Sequence, residues 1–125
     1  MRGQNMTRLL DTDMTLERLA GNETLLNKAA NAFIRIAPRL LASINAALDA
    51  NDLNRAFKRA HWLKRAVTAF EAPLVVNSVL NVERHAINHD AQAAAAAFPK
   101  AQALVERLLT ELTPMATNAE LEAQA

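Results

Sequence analysis

Apolar residues recur at three- and four-residue steps through most of this chain, and only short polar breaks separate the runs. Leu25, Leu26, Ala29, Phe33, Ile36, Ala37, Leu40, Leu41, Ile44 and Leu48 form one series, which predicts a single amphipathic helix over about 22–49. A second runs through Leu53, Ala56, Phe57, Ala60, Leu63, Val67 and Phe70, and a third through Leu74, Val75, Val79, Leu80, Val82, Ala86 and Ile87. Leu104, Val105, Leu108, Leu109 and Leu112 close an Ala-rich fourth. Long helices joined by two to four residues pack as antiparallel neighbours. The predicted fold is therefore all-α, an antiparallel up-down-up-down four-helix bundle with a short extra N-terminal helix.

Local signals place the boundaries. Residues 13–20 read as the short helix, with Gly21 at its left-handed C-terminal cap and Asn22 capping the next. Asp52 is the natural N-cap after the polar break at 49–52, and Pro73 suits a first helical position, so the intervening helix should stop near 70–72. Asp90 restarts the chain. Pro38 predicts a kink near 34–37, and Pro99 a kink or interruption of the last helix. Residues 113–125 show weak periodicity. The expected division is an N-terminal extension at 1–12, a bundle at 13–112 and a flexible tail at 113–125.

Composition narrows the function. A chain of 125 residues makes one domain. Aromatics are 4% against 51% hydrophobic residues overall, so the core is aliphatic. Without cysteine there is no disulfide scaffold, thiolate metal site or Cys nucleophile. A net charge of +1 gives no global case for nucleic acid. No apolar run approaches the roughly 20 residues of a membrane span, and no signal peptide is apparent, so a cytoplasmic protein is expected. A glycine-rich phosphate loop is missing, which argues against ATP as a direct donor. His85 and His89, spaced i, i+4 in the penultimate helical run, have no evident third ligand, and no metal or other cofactor is expected.

The helix after Asp52 stands out. To Phe70 it carries Arg55, Lys58, Arg59, Lys64 and Arg65 against Asp52 alone. Residues three or four apart share a face, which groups Lys58, His61, Lys64 and Arg65, with Thr68 a turn further. His61 falls at the margin of the apolar stripe, shielded yet reachable, and a free imidazole nitrogen is a nucleophile near neutral pH. The cations would stabilise an anionic group attached to it, and a phosphoryl group is the natural candidate.

Ala60-His61-Trp62-Leu63-Lys64 resembles the Ala-His-x-Leu-Lys-Gly phosphorylation motif of histidine phosphotransfer (HPt) domains of bacterial two-component phosphorelays. The resemblance extends over about 13–112, with Val82-Glu83 where that family commonly has Leu-Glu. It implies that His61 accepts a phosphoryl group from a receiver-domain aspartate and passes it to another receiver. Lys64 would stabilise the phosphoryl charge, and the magnesium site would belong to the receiver. Phe57, Lys58, Trp62 and Thr68 would then line the docking face for receivers of response regulators or hybrid histidine kinases. Neither nucleic acid nor membrane is an expected partner, and a monomer is expected. Arg65 stands where the family has Gly, either contacting the phosphoryl group or obstructing it, and Glu71 replaces a second Gly. Those departures motivate the alternative of a degenerate docking module that binds a receiver or kinase without transferring phosphate.

Overall fold

Most helices begin at a polar side chain that replaces a missing intrahelical acceptor. In the computed structural model, which describes residues 8–124, Asp11 Oδ1 accepts the Met14 N–H at 3.0 Å and opens α1, Thr12–Arg18. Asn22 Oδ1 does the same for Leu25 at 3.1 Å and opens α2, Glu23–Asp49. Asp52 caps α3, Leu53–Val67, through Arg55 N at 3.1 Å. Pro73 starts α4, Pro73–Ile87, where its missing N–H is no loss. Asp90 Oδ1 takes the Ala93 N–H at 3.1 Å at the start of α5, Ala91–Gln124.

The four long helices close a ring: α2 packs on α3, α3 on α4, α4 on α5, and α5 back on α2. Sharp reversals make this possible. Gly21 takes φ +74°, and Ala20, Asn51 and His89 also turn left-handed at φ 57°, 57° and 58°, a conformation unfavourable by about 1–2 kcal/mol for a residue with a Cβ. Ile44, Leu63, Leu108 and Leu112 are fully buried in the centre. Phe33 meets Phe70 edge to face, with ring centroids 5.5 Å apart. Nearer the α2–α3 turn, Ala47, Ala56 and Ala86 form a second small cluster, with Leu48 and Phe57 leaning on it. Such small side chains let α3 and α4 approach closely.

The all-α bundle expected from the periodicity is the fold observed; several boundaries differ. The first helix ends at Arg18 and α3 ends at Val67, with a turn before Pro73. Neither Pro38 nor Pro99 interrupts its helix, and both lie on the exposed side, where water serves the carbonyls they orphan. His89 is not on the helix of His85, because α4 stops at Ile87 and His89 occupies the left-handed turn. Helix α5 runs on to Gln124 through the segment 113–125 expected as a flexible tail, and within it Ala116 is buried and Met115 packs on the core; Ala125 lies outside the described residues. Residues 1–7 of the expected N-terminal extension also lie outside them, but Leu9 and Leu10 belong to the core. Their N–H groups donate to the Glu111 carboxylate at 2.8 and 2.9 Å.

Candidate functional site

Ala56, Ala60, Leu63 and Val67 turn the inner face of α3 into the core, which fixes where the rest of the helix points. His61 and Lys64 come out at the margin next to α4. Opposite them is Glu83, a carboxylate inside the apolar series Val79, Val82 and Ala86 and only 7% exposed. His61 Nδ1 lies 2.7 Å from Glu83 Oε2. The carboxylate requires a donor, so the proton sits on Nδ1 and the neutral ring leaves its lone pair on Nε2. Among the described residues no group binds Nε2, and 44% of the His61 side chain is exposed. Phe57, one turn earlier, stacks on the imidazole at 5.9 Å and 27° between planes. The ring is therefore held by one edge and one face.

Lys64 Nζ stands 2.9 Å from Glu83 Oε1. This is a charge contact without the angles of a directed hydrogen bond, since Oε1 has no hydrogen-bond partner of good geometry. Burial by itself pushes the Glu83 carboxyl up, but the close polar contacts and positive charge that Lys64 and His61 bring to it outweigh this, and the group is held below its ordinary value. Glu83 is thus an ionised, largely buried acid between two donors.

The other residues singled out in the sequence do not all gather here. Lys58 and Arg65 are exposed, three residues before and four after His61, and frame it from above and below. Among the described residues Arg65 makes no ion pair. Thr68 caps α3: its hydroxyl donates to the Arg65 carbonyl at 2.6 Å and its own carbonyl accepts from Arg18 at 2.9 Å. Trp62 is rotated about 100° around the helix from His61, on the side of α2, where it is 48% exposed. Arg59 lies over its ring at 5.9 Å and donates Nε–H to Ser43 Oγ of α2 at 3.3 Å.

The structure adds two contacts to the expected site. The charged group nearest the imidazole is a carboxylate and not a cation, and Lys64 is engaged by that carboxylate. Sequence reasoning noticed Glu83 only as part of the resemblance and gave it no role. A signal was present: an acid on the buried stripe of α4 must find a partner, because an uncompensated buried charge is very unfavourable.

A comparison with curated proteins finds no match. Among solved structures, histidine-containing phosphotransfer protein B (HptB) from Pseudomonas aeruginosa PAO1 is similar, with a TM-score of 0.79 over 90% of this chain and 97% of that one. At 19% identity the likeness concerns the fold. Residues 28–116, which hold α3, α4 and the whole His61–Glu83–Lys64 constellation, match the family model described as Hpt domain. By that match this chain belongs to the Hpt domain family, the phosphotransfer modules of two-component signalling.

Proposed function

We propose that the chain is a phosphorelay intermediate in which His61 Nε2 takes a phosphoryl group from a receiver aspartate and yields it to a second receiver. The observation that carries this reading is the half-exposed ring whose Nδ1–H is held by Glu83 at 2.7 Å. In the step, the Nε2 lone pair forms the N–P bond while the acyl-phosphate P–O bond breaks and the aspartate leaves as carboxylate. No proton has to depart. The imidazole gains positive charge as the bond forms, and the ionised Glu83 on the opposite edge offsets it. Glu83 also fixes the tautomer, so the attacking lone pair is in place before the partner arrives.

Lys64 and Arg65 have different parts in this reading. Lys64 balances Glu83 in the resting state, and once a phosphoryl group adds negative charge nearby its flexible ammonium is shared between the two anions. Arg65, exposed and without an ion pair among the described residues, is a cation available to the phosphoryl group. Phe57, Lys58 and Thr68 flank the approach of the receiver to His61, and Trp62 extends the docking face toward α2. Transfer is favoured over docking alone because Arg65 leaves 44% of the His61 side chain accessible.

The direct test is incubation with a phosphorylated receiver domain. An acid-labile label should appear on the chain and vanish in His61→Gln. Undiminished labelling of His61→Gln would overturn the assignment, and transfer seen only after Arg65→Gly would identify the natural chain as a docking module.

A further inference from the structure

Charge is distributed very unevenly in this bundle. Between residues 24 and 48 of α2 and 53 and 70 of α3 and its following turn there are eight cations and no acid. These are Lys28, Arg35 and Arg39 on the first segment and Arg55, Lys58, Arg59, Lys64 and Arg65 on the second. All thirteen acids lie elsewhere, against the six remaining cations, so the +1 net charge conceals a strongly cationic α2–α3 side. Little within the chain neutralises it. Among the described residues, Arg55 reaches only its own cap, Asp52, at 3.9 Å, and Lys64 is held by Glu83.

Trp62 sits within this field. The antiparallel pairing of α2 and α3 is registered by the Ser43–Arg59 hydrogen bond of 3.3 Å. Arg59 is held on the indole face, and exposed Arg39 lies one turn from Ser43 on the same side of α2. Lys58 and Arg65, seven residues apart, occupy one line of α3 between the azimuths of His61 and Trp62. An exposed indole with one guanidinium over its face, and further cations on the same two helices, has the composition of a protein-interface anchor. A lipid surface would require several apolar side chains on this face, and the large exposed ones described on α2 and α3 are Trp62 and, near the far end of α2, Leu25.

We infer that the α2–α3 face centred on Arg59 and Trp62 is a charge-selective dock for an acidic protein surface, and that it restricts His61 to receivers whose docking face is acidic with an apolar recess for the indole. The inference rests on the relay reading and adds the partner's chemistry. It also gives Arg65 a reason to stand where the family has Gly: a cation there admits a receiver bearing an acid opposite and repels one bearing a cation.

The test uses the full chain and a panel of purified receiver domains with acidic, neutral and basic docking faces. Binding is followed by the fluorescence of Trp62, the single tryptophan of the chain, at roughly 50 and 300 mM salt. Acidic receivers should shift the emission and bind at least about tenfold tighter than neutral ones, with the advantage shrinking at the higher salt. Arg39→Glu and Arg59→Gln should each weaken acidic receivers several-fold, with melting curves recorded to verify that each variant is folded. Equal binding across the panel would overturn the inference, and so would unchanged affinity in both variants. Tighter binding of phosphatidylglycerol vesicles or of an oligonucleotide than of any receiver would also overturn it. Phosphate transfer to His61, measured on the same samples, reports separately on the relay reading.

Discussion

Glu83 on α4 reaches across to α3 and meets His61 Nδ1 at 2.7 Å, so that in the neutral ring the nitrogen facing solvent is the one without a proton. This contact organises the site, and Glu83→Gln tests it with little change of shape. The amide keeps an acceptor for Nδ1–H but loses the charge that offsets the phosphorylated ring. Single-turnover labelling of His61 should fall about tenfold or more, in the range expected for losing one electrostatic contact to the reacting group. Nitrogen-15 NMR of the free protein should still find the Nδ1–H tautomer in Glu83→Gln and a mixed population in Glu83→Ala.

The same carboxylate makes stability depend on pH. Its folded pKa is lowered, because Lys64 and His61 together outweigh the upward push of burial. A group with a depressed folded value contributes stability that is fully present above its unfolded pKa of about 4.3 and is lost as pH falls through the lower folded value. Denaturant midpoints should therefore decline in acid below about pH 4.3, and Glu83→Gln should flatten that part of the profile. A profile in the variant that still declines as steeply would assign the effect to other carboxylates.

Lys64 is the other half of the pair, and its removal should be felt by the fold before the chemistry. Lys64→Met keeps the aliphatic stem and leaves Glu83 Oε1, already without a directed hydrogen bond, facing no charge. The expected loss is about 1–3 kcal/mol in urea unfolding. The double variant Lys64→Met/Glu83→Gln should recover part of it, since the orphaned charge is gone as well. Additive losses in that cycle would mean the 2.9 Å contact carries no coupling.

These contacts show where sequence reading succeeds and where it stops. The bundle was legible because the apolar stripes of α2 to α4 keep a helical period and because Asn22, Asp52 and Pro73 mark helix starts. His61 and Lys64 were legible as one face of one helix. Glu83 required a second helix to be placed in register against the first, and spacing within a chain does not encode that. Trp62 follows His61 in sequence and looks adjacent, yet a single step on a helix carries it around to the α2 side. The end of α5 was missed for a different reason: Met115 and Ala116 continue the stripe of Leu108 and Leu112 with small or flexible side chains that barely raise the periodic signal.

The junction of α1 with the end of α3 holds a buried bridge beside an exposed ion pair, and the two should differ sharply in worth. Thr15 Oγ1 donates to the Asp11 carbonyl at 2.8 Å and accepts the Glu71 N–H at 2.9 Å, fully buried. Arg18 pairs with Glu71 at 2.7 Å near the surface. Thr15→Val strands the Glu71 N–H, while the Asp11 carbonyl keeps the Thr15 backbone N–H at 3.0 Å, and should lower stability by about 1–3 kcal/mol, whereas Arg18→Ala should lower it by about 1 kcal/mol or less. Thermal melts that reversed this order would place the strength of the junction in the ion pair.

Glu111 performs a comparable service for the N-terminal segment. Its two carboxylate oxygens accept the N–H groups of Leu9 and Leu10 at 2.8 and 2.9 Å, while those side chains are buried among the core residues. Apolar burial and the carboxylate clamp act on the same two residues, so hydrogen exchange can separate them. In Glu111→Ala the leucine side chains retain their apolar burial, worth about 1.5–3 kcal/mol for each, and the global melt should shift modestly. The two amides, left with no acceptor, must turn to water, so their exchange should accelerate by at least about tenfold, equivalent to roughly 1.4 kcal/mol of local opening. The amides inside α3 and α4 should keep their protection. Equal acceleration throughout the bundle would instead mean that Leu9 and Leu10 are integral to the cooperative core and that Glu111 stabilises the fold as a whole.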